Sequence, residues 1–145
     1  MLRSGIKRQA NLDLEIAKHD FGILPKAQAA DKLFRTSTPD AYEKDARDIY
    51  GLMREAWEQA AGEVLLNNVV ERCRPSIETQ RLKNLYDITE DDCKTVEKAM
   101  AECSRWMRGH DHPAADGTPF PQPAELLKRI EELDAWVQGI KKRRK

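Results

Sequence analysis

The residues best suited to reaction chemistry lie in one short segment, residues 103–112, which reads CSRWMRGHDH. Arginine stabilises the negative charge that builds on phosphate oxygens during cleavage. A histidine with a pKa near neutrality can move protons to and from the reacting oxygens. Arg105 and His110, with four residues between them, could therefore cleave RNA through its own 2′-hydroxyl without a metal ion. The alternative is a basic helix end and a polar turn that only complement the helix dipole.

The same segment offers a second alternative, a metal site. His110 and His112 could bind zinc together with Asp111, Asp116 or Cys103. The paired-cysteine spacings typical of structural zinc sites are absent, however. We therefore predict that the chain holds no metal and no cofactor.

A second candidate pair lies upstream, where Arg54 and Glu58 are four residues apart on a predicted helix and so share one face. They form either a surface ion pair of little energetic value or the second half of a cleft that Arg105 and His110 complete. These four residues are the candidate catalytic groups.

Two basic regions, the tail Lys141–Lys145 and a corner around Pro75, could contact phosphates, but we expect both to be solvated and the tail to be partly frayed. The basic residues of that corner are Arg72, Arg74, Arg81 and Lys83.

Composition limits the possible functions. The 145 residues include 25 basic and 25 acidic side chains, so the net charge is zero and a strong overall attraction to nucleic acid is not expected. No run approaches the roughly 20 apolar residues that a membrane span needs, and no signal peptide is apparent. The three cysteines show no disulfide spacing, which favours free thiols in the cytoplasm. Because no phosphate-binding loop is present, we predict that this chain alone does not bind ATP.

Apolar residues recur at helical spacing in every long segment, which predicts an all-α bundle of about four to six helices. The pattern from Thr38-Pro39 runs without a break to about residue 73 and predicts one long central helix, 39–73. Further helices should begin at Thr89 and Pro123, and Cys93 and Cys103 should lie on an apolar helix face. Residues 37–145 then form the bundle domain. Residues 1–36 form an N-terminal helical arm, with one helix over 6–21, that either packs across the bundle or projects from it.

Four segments resemble the C-terminal helical region of large bacterial AAA/ABC-type ATPases, the SMC-like and anticodon-nuclease-like proteins of phage defence. They are residues 52–58 (LMREAWE), 63–72 (EVLLNNVVER), 103–111 and 133–137 (LDAWV), within a likeness that spans about 20–144. The resemblance implies a nucleotide-binding core upstream of this chain.

The resemblance also implies a HEPN-type ribonuclease domain, because anticodon-nuclease ATPases end in one. HEPN enzymes use an Arg-x4–6-His motif, which Arg105 and His110 match, and some add an Arg-x3-Glu pair, which Arg54 and Glu58 match. The HEPN motif usually lies within a helix or at its start, whereas here the histidine follows a predicted helix stop at Gly109.

Two functions remain open at this point. The first is a non-catalytic helical module for interaction, dimerisation or regulation. It would self-associate through the 39–73 helix or bind a protein partner. Such a module would be part of a larger ATPase-associated defence or nucleic-acid-processing protein. The alternative is a metal-independent RNA endonuclease of HEPN type that uses Arg105 and His110.

Overall fold

The computed structural model describes residues 22–71, 73–107 and 118–145. Within these ranges the chain forms four α-helices and no strand, which confirms the all-α class. The helices are α1 (Ile23–Thr36), α2 (Pro39–Ala60), α3 (Glu90–Trp106) and α4 (Pro123–Arg143). A π-helical turn, Ala61–Leu65, continues α2, and a 3-10 helix spans Thr79–Leu85. The helix predicted over 6–21 and the stop predicted at Gly109 lie outside the described residues.

Local capping explains why the helices begin where the sequence predicts. Thr38 accepts a hydrogen bond from the backbone N–H of Ala41 (3.2 Å), and Pro39 occupies the first helical position of α2. At the start of α3, Thr89 and Asp92 form a capping box, in which each side chain accepts a hydrogen bond from the other residue's backbone N–H. Pro123 opens α4 as expected.

The long helix ends earlier than residue 73. Helical geometry stops at Leu65, and both Asn67 (φ 49°) and Asn68 (φ 58°) adopt the left-handed conformation. Asparagine tolerates this conformation better than most residues, because its short polar side chain can bond locally. The chain then turns back, and Val69 is buried again at 4% exposure. The two consecutive asparagines therefore act as the helix stop.

The core is built on the apolar face of α2. α1 and α3 each pack along α2, and α4 packs mainly along α1, whereas α3 and α4 make little direct backbone contact with each other. The four helices therefore outline a bundle with one open side. The face of α2 buries Tyr42, Ala46, Ile49, Tyr50, Met53, Ala56, Trp57 and Ala60.

The described part of the N-terminal region belongs to this same core. Ile23, Ala27 and Ala30 of α1 are fully buried in one cluster with the residues of α2 and α4. Residues 23–36 therefore pack against the bundle, whereas the arrangement of the helix predicted over 6–21 stays a prediction.

The basic tail is fixed to the bundle at its last two arginines, so the prediction of a frayed, solvated tail is wrong for Arg143 and Arg144. Arg144 donates hydrogen bonds to the carbonyls of Val64 (2.7 Å) and Leu65 (2.9 Å) and pairs with Asp87 (2.8 Å). These carbonyls lie at the end of the π-helical turn, where the regular helical donors end. The Val64 carbonyl also accepts a hydrogen bond from the backbone N–H of Asn67 (3.3 Å), so Arg144 supplements that bond and supplies a donor to the Leu65 carbonyl.

The neighbouring Arg143 pairs with Asp92 at 2.8 Å and so joins the end of α4 to the capping box of α3. Partial burial favours the neutral form of the Asp92 carboxyl. The hydrogen bonds from Arg143 and from the Thr89 backbone outweigh this effect and hold the pKa of Asp92 below its usual value. The pKa of Asp87 is also lowered, chiefly by its hydrogen bond from Arg144. Both carboxylates are therefore ionised at neutral pH.

We expect Arg144→Ala to lower the free energy of unfolding by about 2 kcal/mol, because it removes the hydrogen bonds to the carbonyls of Val64 and Leu65 and to the carboxylate of Asp87. Urea denaturation followed by circular dichroism measures this loss. The matched control is Lys142→Ala, which removes an exposed basic side chain from the same helix end. An equal loss in both variants would show that charge at the tail, rather than the hydrogen bonds of Arg144, is what matters.

Candidate functional site

Arg54 joins the two helices that carry the candidate catalytic residues. Its Nε donates a hydrogen bond to Oγ of Ser104 at 2.8 Å, so the middle of α2 is tied to the end of α3. Ser104 directly precedes Arg105. The structure therefore brings the Arg54 pair next to the segment that contains the Arg-x4-His pattern, as a shared cleft would require.

The surroundings of Arg54 and Glu58 are acidic. Both residues line a surface groove of about 840 Å³ at the end of α2, and Glu58 is exposed. The residues lining this groove include four glutamates but only one arginine. Phosphates are repelled by such a field unless a cation intervenes. The groove as described is therefore better suited to a cationic group than to an RNA backbone.

Arg105 lies in a different groove. Its guanidinium is placed over the ring of Trp106, 4.7 Å from the centroid, and both residues line a second groove of about 780 Å³ that also includes Phe120. The two grooves share no lining residue. The hydrogen bond of Ser104 thus links the two candidate regions, but Arg105 and Glu58 do not line one cleft.

The remaining candidates of the segment lie outside the described residues. These are His110, Asp111, His112 and Asp116, so the geometry of the Arg-x4-His pattern and of the alternative metal site stays a prediction. Among the residues that the structure describes, no cluster of three or more histidine, cysteine, aspartate or glutamate side chains could hold a metal ion.

The described cysteines differ sharply from one another. Cys103 is buried at 3% exposure, and burial raises the pKa of its thiol to about 12. It is therefore a neutral core thiol rather than a ready metal ligand, since metals bind the thiolate. Cys93, predicted to lie on the same apolar face, is exposed, as is Cys73. The prediction for Cys93 was wrong because, in the first turn of α3, it is the neighbouring Asp92 that is buried and bound by Arg143 of α4.

The basic corner is largely engaged in local contacts. Arg74 forms ion pairs with Glu71 (3.3 Å) and Glu78 (3.2 Å), and Arg81 donates a hydrogen bond to the carbonyl of Asn67. These contacts stabilise the turn that follows the π-helical segment. The corner therefore has a structural role in the part that the structure describes.

The same corner carries a feature that sequence reasoning missed. Four large apolar side chains on residues 70–86 are exposed to solvent. They are Val70 (56%), Ile77 (57%), Leu82 (47%) and Tyr86 (91%). The helical spacing of Leu82, Leu85 and Tyr86 predicts a buried face after Pro75, so the sequence carried no clear signal of this exposure.

No helix in the described part of the chain is long and apolar enough to span a bilayer. Comparison with known proteins yields no matching family model, no matching curated protein and no matching solved structure. The resemblance to AAA/ABC-type ATPases and to HEPN ribonucleases therefore stays a prediction from the sequence.

We expect a thiol reagent such as iodoacetamide to modify Cys73 and Cys93 in the native protein and to leave Cys103 unmodified. Burial both blocks access to Cys103 and suppresses its thiolate. Intact-mass spectrometry counts the adducts, and the same reaction in denaturant supplies the control in which Cys103 also reacts. Rapid native modification of Cys103 would contradict its placement in the core.

Proposed function

We propose that this chain is a non-catalytic helical interaction module that binds a second copy of itself through residues 70–86, here called the apolar corner. The observation that carries the proposal is the exposure of Val70, Ile77, Leu82 and Tyr86 within this one segment. Single exposed apolar residues are normal on a protein surface. A cluster of large ones is typical of a surface that a partner covers.

The apolar corner gains little from the chain's own core. The 3-10 helix Thr79–Leu85 contains no buried residue, and the face of α2 that could have covered it is occupied by α1 and α3. Ordering a segment costs conformational entropy that burial must offset. A partner surface would supply the missing burial, which supports association here rather than along the 39–73 helix.

A second copy is compatible with the overall charge of the chain. The whole chain has zero net charge, so two copies do not repel each other at long range. Within the apolar corner, Glu71 and Glu78 pair with Arg74 of the same copy. In a two-fold dimer the same patch meets itself, so the apolar side chains rather than the charges would hold the two copies together. The resemblance to defence ATPases would make such a dimer the joining element of a larger protein.

Analytical ultracentrifugation tests the proposal. We expect concentration-dependent dimerisation of the wild-type chain, and we expect Ile77→Ser combined with Tyr86→Ser to weaken it by at least about tenfold, because two central apolar contacts are lost. The control is Phe34→Ser, which removes a partly exposed apolar ring from α1, with circular dichroism to verify folding. A wild-type monomer at all concentrations, or equal weakening by the control, would overturn the proposal.

The second candidate function is the HEPN-type RNA endonuclease. The hydrogen bond between Arg54 and Ser104 favours it, because it holds the Arg-x3-Glu helix beside the Arg-x4-His segment. The acidic lining around Glu58 and the separate groove of Arg105 count against it. A protein partner or His110 would have to complete the site.

Incubation with tRNA and total RNA in EDTA decides between the two functions. If the interaction module is correct, RNA stays intact with the wild type, with His110→Ala and with His19→Ala, which changes the one histidine outside the candidate segment. If the enzyme hypothesis is correct, His110→Ala alone loses cleavage, by a factor of about 100 or more, because the proton-transfer group is gone. Gel electrophoresis of the RNA distinguishes the two cases. RNA cleavage that is lost only in His110→Ala would overturn the interaction module in favour of the enzyme.

A further inference from the structure

Arg144 contacts the chain on both sides of the apolar corner. Before the corner, its guanidinium donates hydrogen bonds to the carbonyls of Val64 (2.7 Å) and Leu65 (2.9 Å). After the corner, the same guanidinium binds both carboxylate oxygens of Asp87, at a shortest distance of 2.8 Å. One side chain at the end of α4 therefore joins the two ends of the segment that contains the exposed apolar residues.

The apolar corner is held in place by polar contacts rather than by burial. None of its residues that the structure describes is buried, and its 3-10 helix makes little backbone contact with the other helices. Other hydrogen bonds join it to the turn that precedes it. The backbone N–H of Glu78 binds the carbonyl of Val69 (2.8 Å), and Arg81 binds that of Asn67 (3.3 Å). The conformation of the corner thus depends on a small set of hydrogen bonds and ion pairs.

The contacts of Arg144 are better shielded from water than the other ion pairs of the corner. The side chains of Arg144 and Asp87 are 18% and 15% exposed, whereas those of Arg74 and Glu78 are 30% and 40% exposed. Water and salt weaken shielded pairs less than exposed ones. The planar guanidinium also reaches two carbonyls and a carboxylate at once, which the single ammonium of a lysine cannot do. Arg143 makes only a longer contact with Asp87, at 3.4 Å.

An ordered corner binds a second copy more tightly than a mobile one. A segment that must be ordered during association loses conformational entropy, and this loss weakens binding. Joining the ends of the segment beforehand removes part of that loss. A two-fold dimer needs two ordered copies, so the dissociation constant rises with the square of any loss in the ordered fraction. Dimerisation is therefore more sensitive than folding to the contacts of Arg144.

We propose that Arg144 is the positioning residue of the dimer surface. It holds the apolar corner in the conformation that a second copy binds, and so couples self-association to the C-terminal end of α4. This inference rests on the proposed function, because it concerns the same surface. It adds a determinant of dimerisation that lies outside residues 70–86 and does not itself contact the partner.

Analytical ultracentrifugation of two variants tests the coupling. Arg144→Lys keeps the positive charge but not the planar fork, and Asp87→Asn keeps the shape of the side chain but not its charge. We expect each to raise the dimer dissociation constant about tenfold, because a roughly threefold loss of the ordered state counts once for each copy. The matched control is Tyr42→Phe, which removes a hydrogen bond to the carbonyl of Pro121 (2.6 Å) at the opposite end of α2 and should leave dimerisation unchanged.

Hydrogen exchange separates positioning from general stability. It is measured by mass spectrometry at concentrations below the dissociation constant, where the chain is monomeric. The backbone amides of residues 79–85 should exchange at least about threefold faster in Arg144→Lys and Asp87→Asn, whereas those of α2 should keep the wild-type rate. Tyr42→Phe should leave residues 79–85 unchanged. A residue that only stabilised the whole bundle would not affect this segment selectively.

The outcomes distinguish this inference from the proposed function. A wild type that stays monomeric removes the dimer and this inference with it. A dimeric wild type whose dissociation constant is unchanged in Arg144→Lys and Asp87→Asn, or raised equally in Tyr42→Phe, rejects the positioning role and leaves the dimer standing. If circular dichroism shows that Arg144→Lys is unfolded, Asp87→Asn decides, and unchanged exchange of residues 79–85 in that variant rejects the role.

Discussion

The apolar face of α2 is the constraint on which the rest of the structure depends. Its buried residues, from Tyr42 to Ala60, form the surface on which α1 and α3 pack, and α4 reaches the core chiefly through α1. Burial of this face stabilises the fold, because each large side chain contributes about 1.5–3 kcal/mol when removed from water. The groove that contains Arg54 lies where the neighbouring helices leave α2 uncovered, since Arg54, Glu55 and Glu58 of α2 all line it.

Helix starts could be predicted from the sequence, whereas helix ends and tertiary bonds could not. Thr38 and Thr89 form caps with residues three positions later, so short segments hold all the information needed. The end of α2 depends on two asparagines that could equally have remained helical, since asparagine is only a mild helix breaker. Arg144 bonds to residues about 80 positions earlier, and no local pattern reveals such a partner.

In the candidate site, too, local spacing predicted some features, whereas the features that depend on tertiary contacts could not be predicted. Spacing alone predicted that Arg54 and Glu58 share one face of a helix, and both line one groove beside α2. It could not show that four glutamates share this groove, because Glu63 and Glu71 reach it only through the turn after Leu65.

The proposed dimer surface follows from where α2 ends. The early stop at Leu65 directs residues 70–86 away from the core, so apolar side chains such as Ile77 have nothing within the described chain to cover them. Exposed apolar groups raise the free energy of the isolated chain. A bound partner relieves that cost, and this argues that the exposed segment serves binding rather than folding.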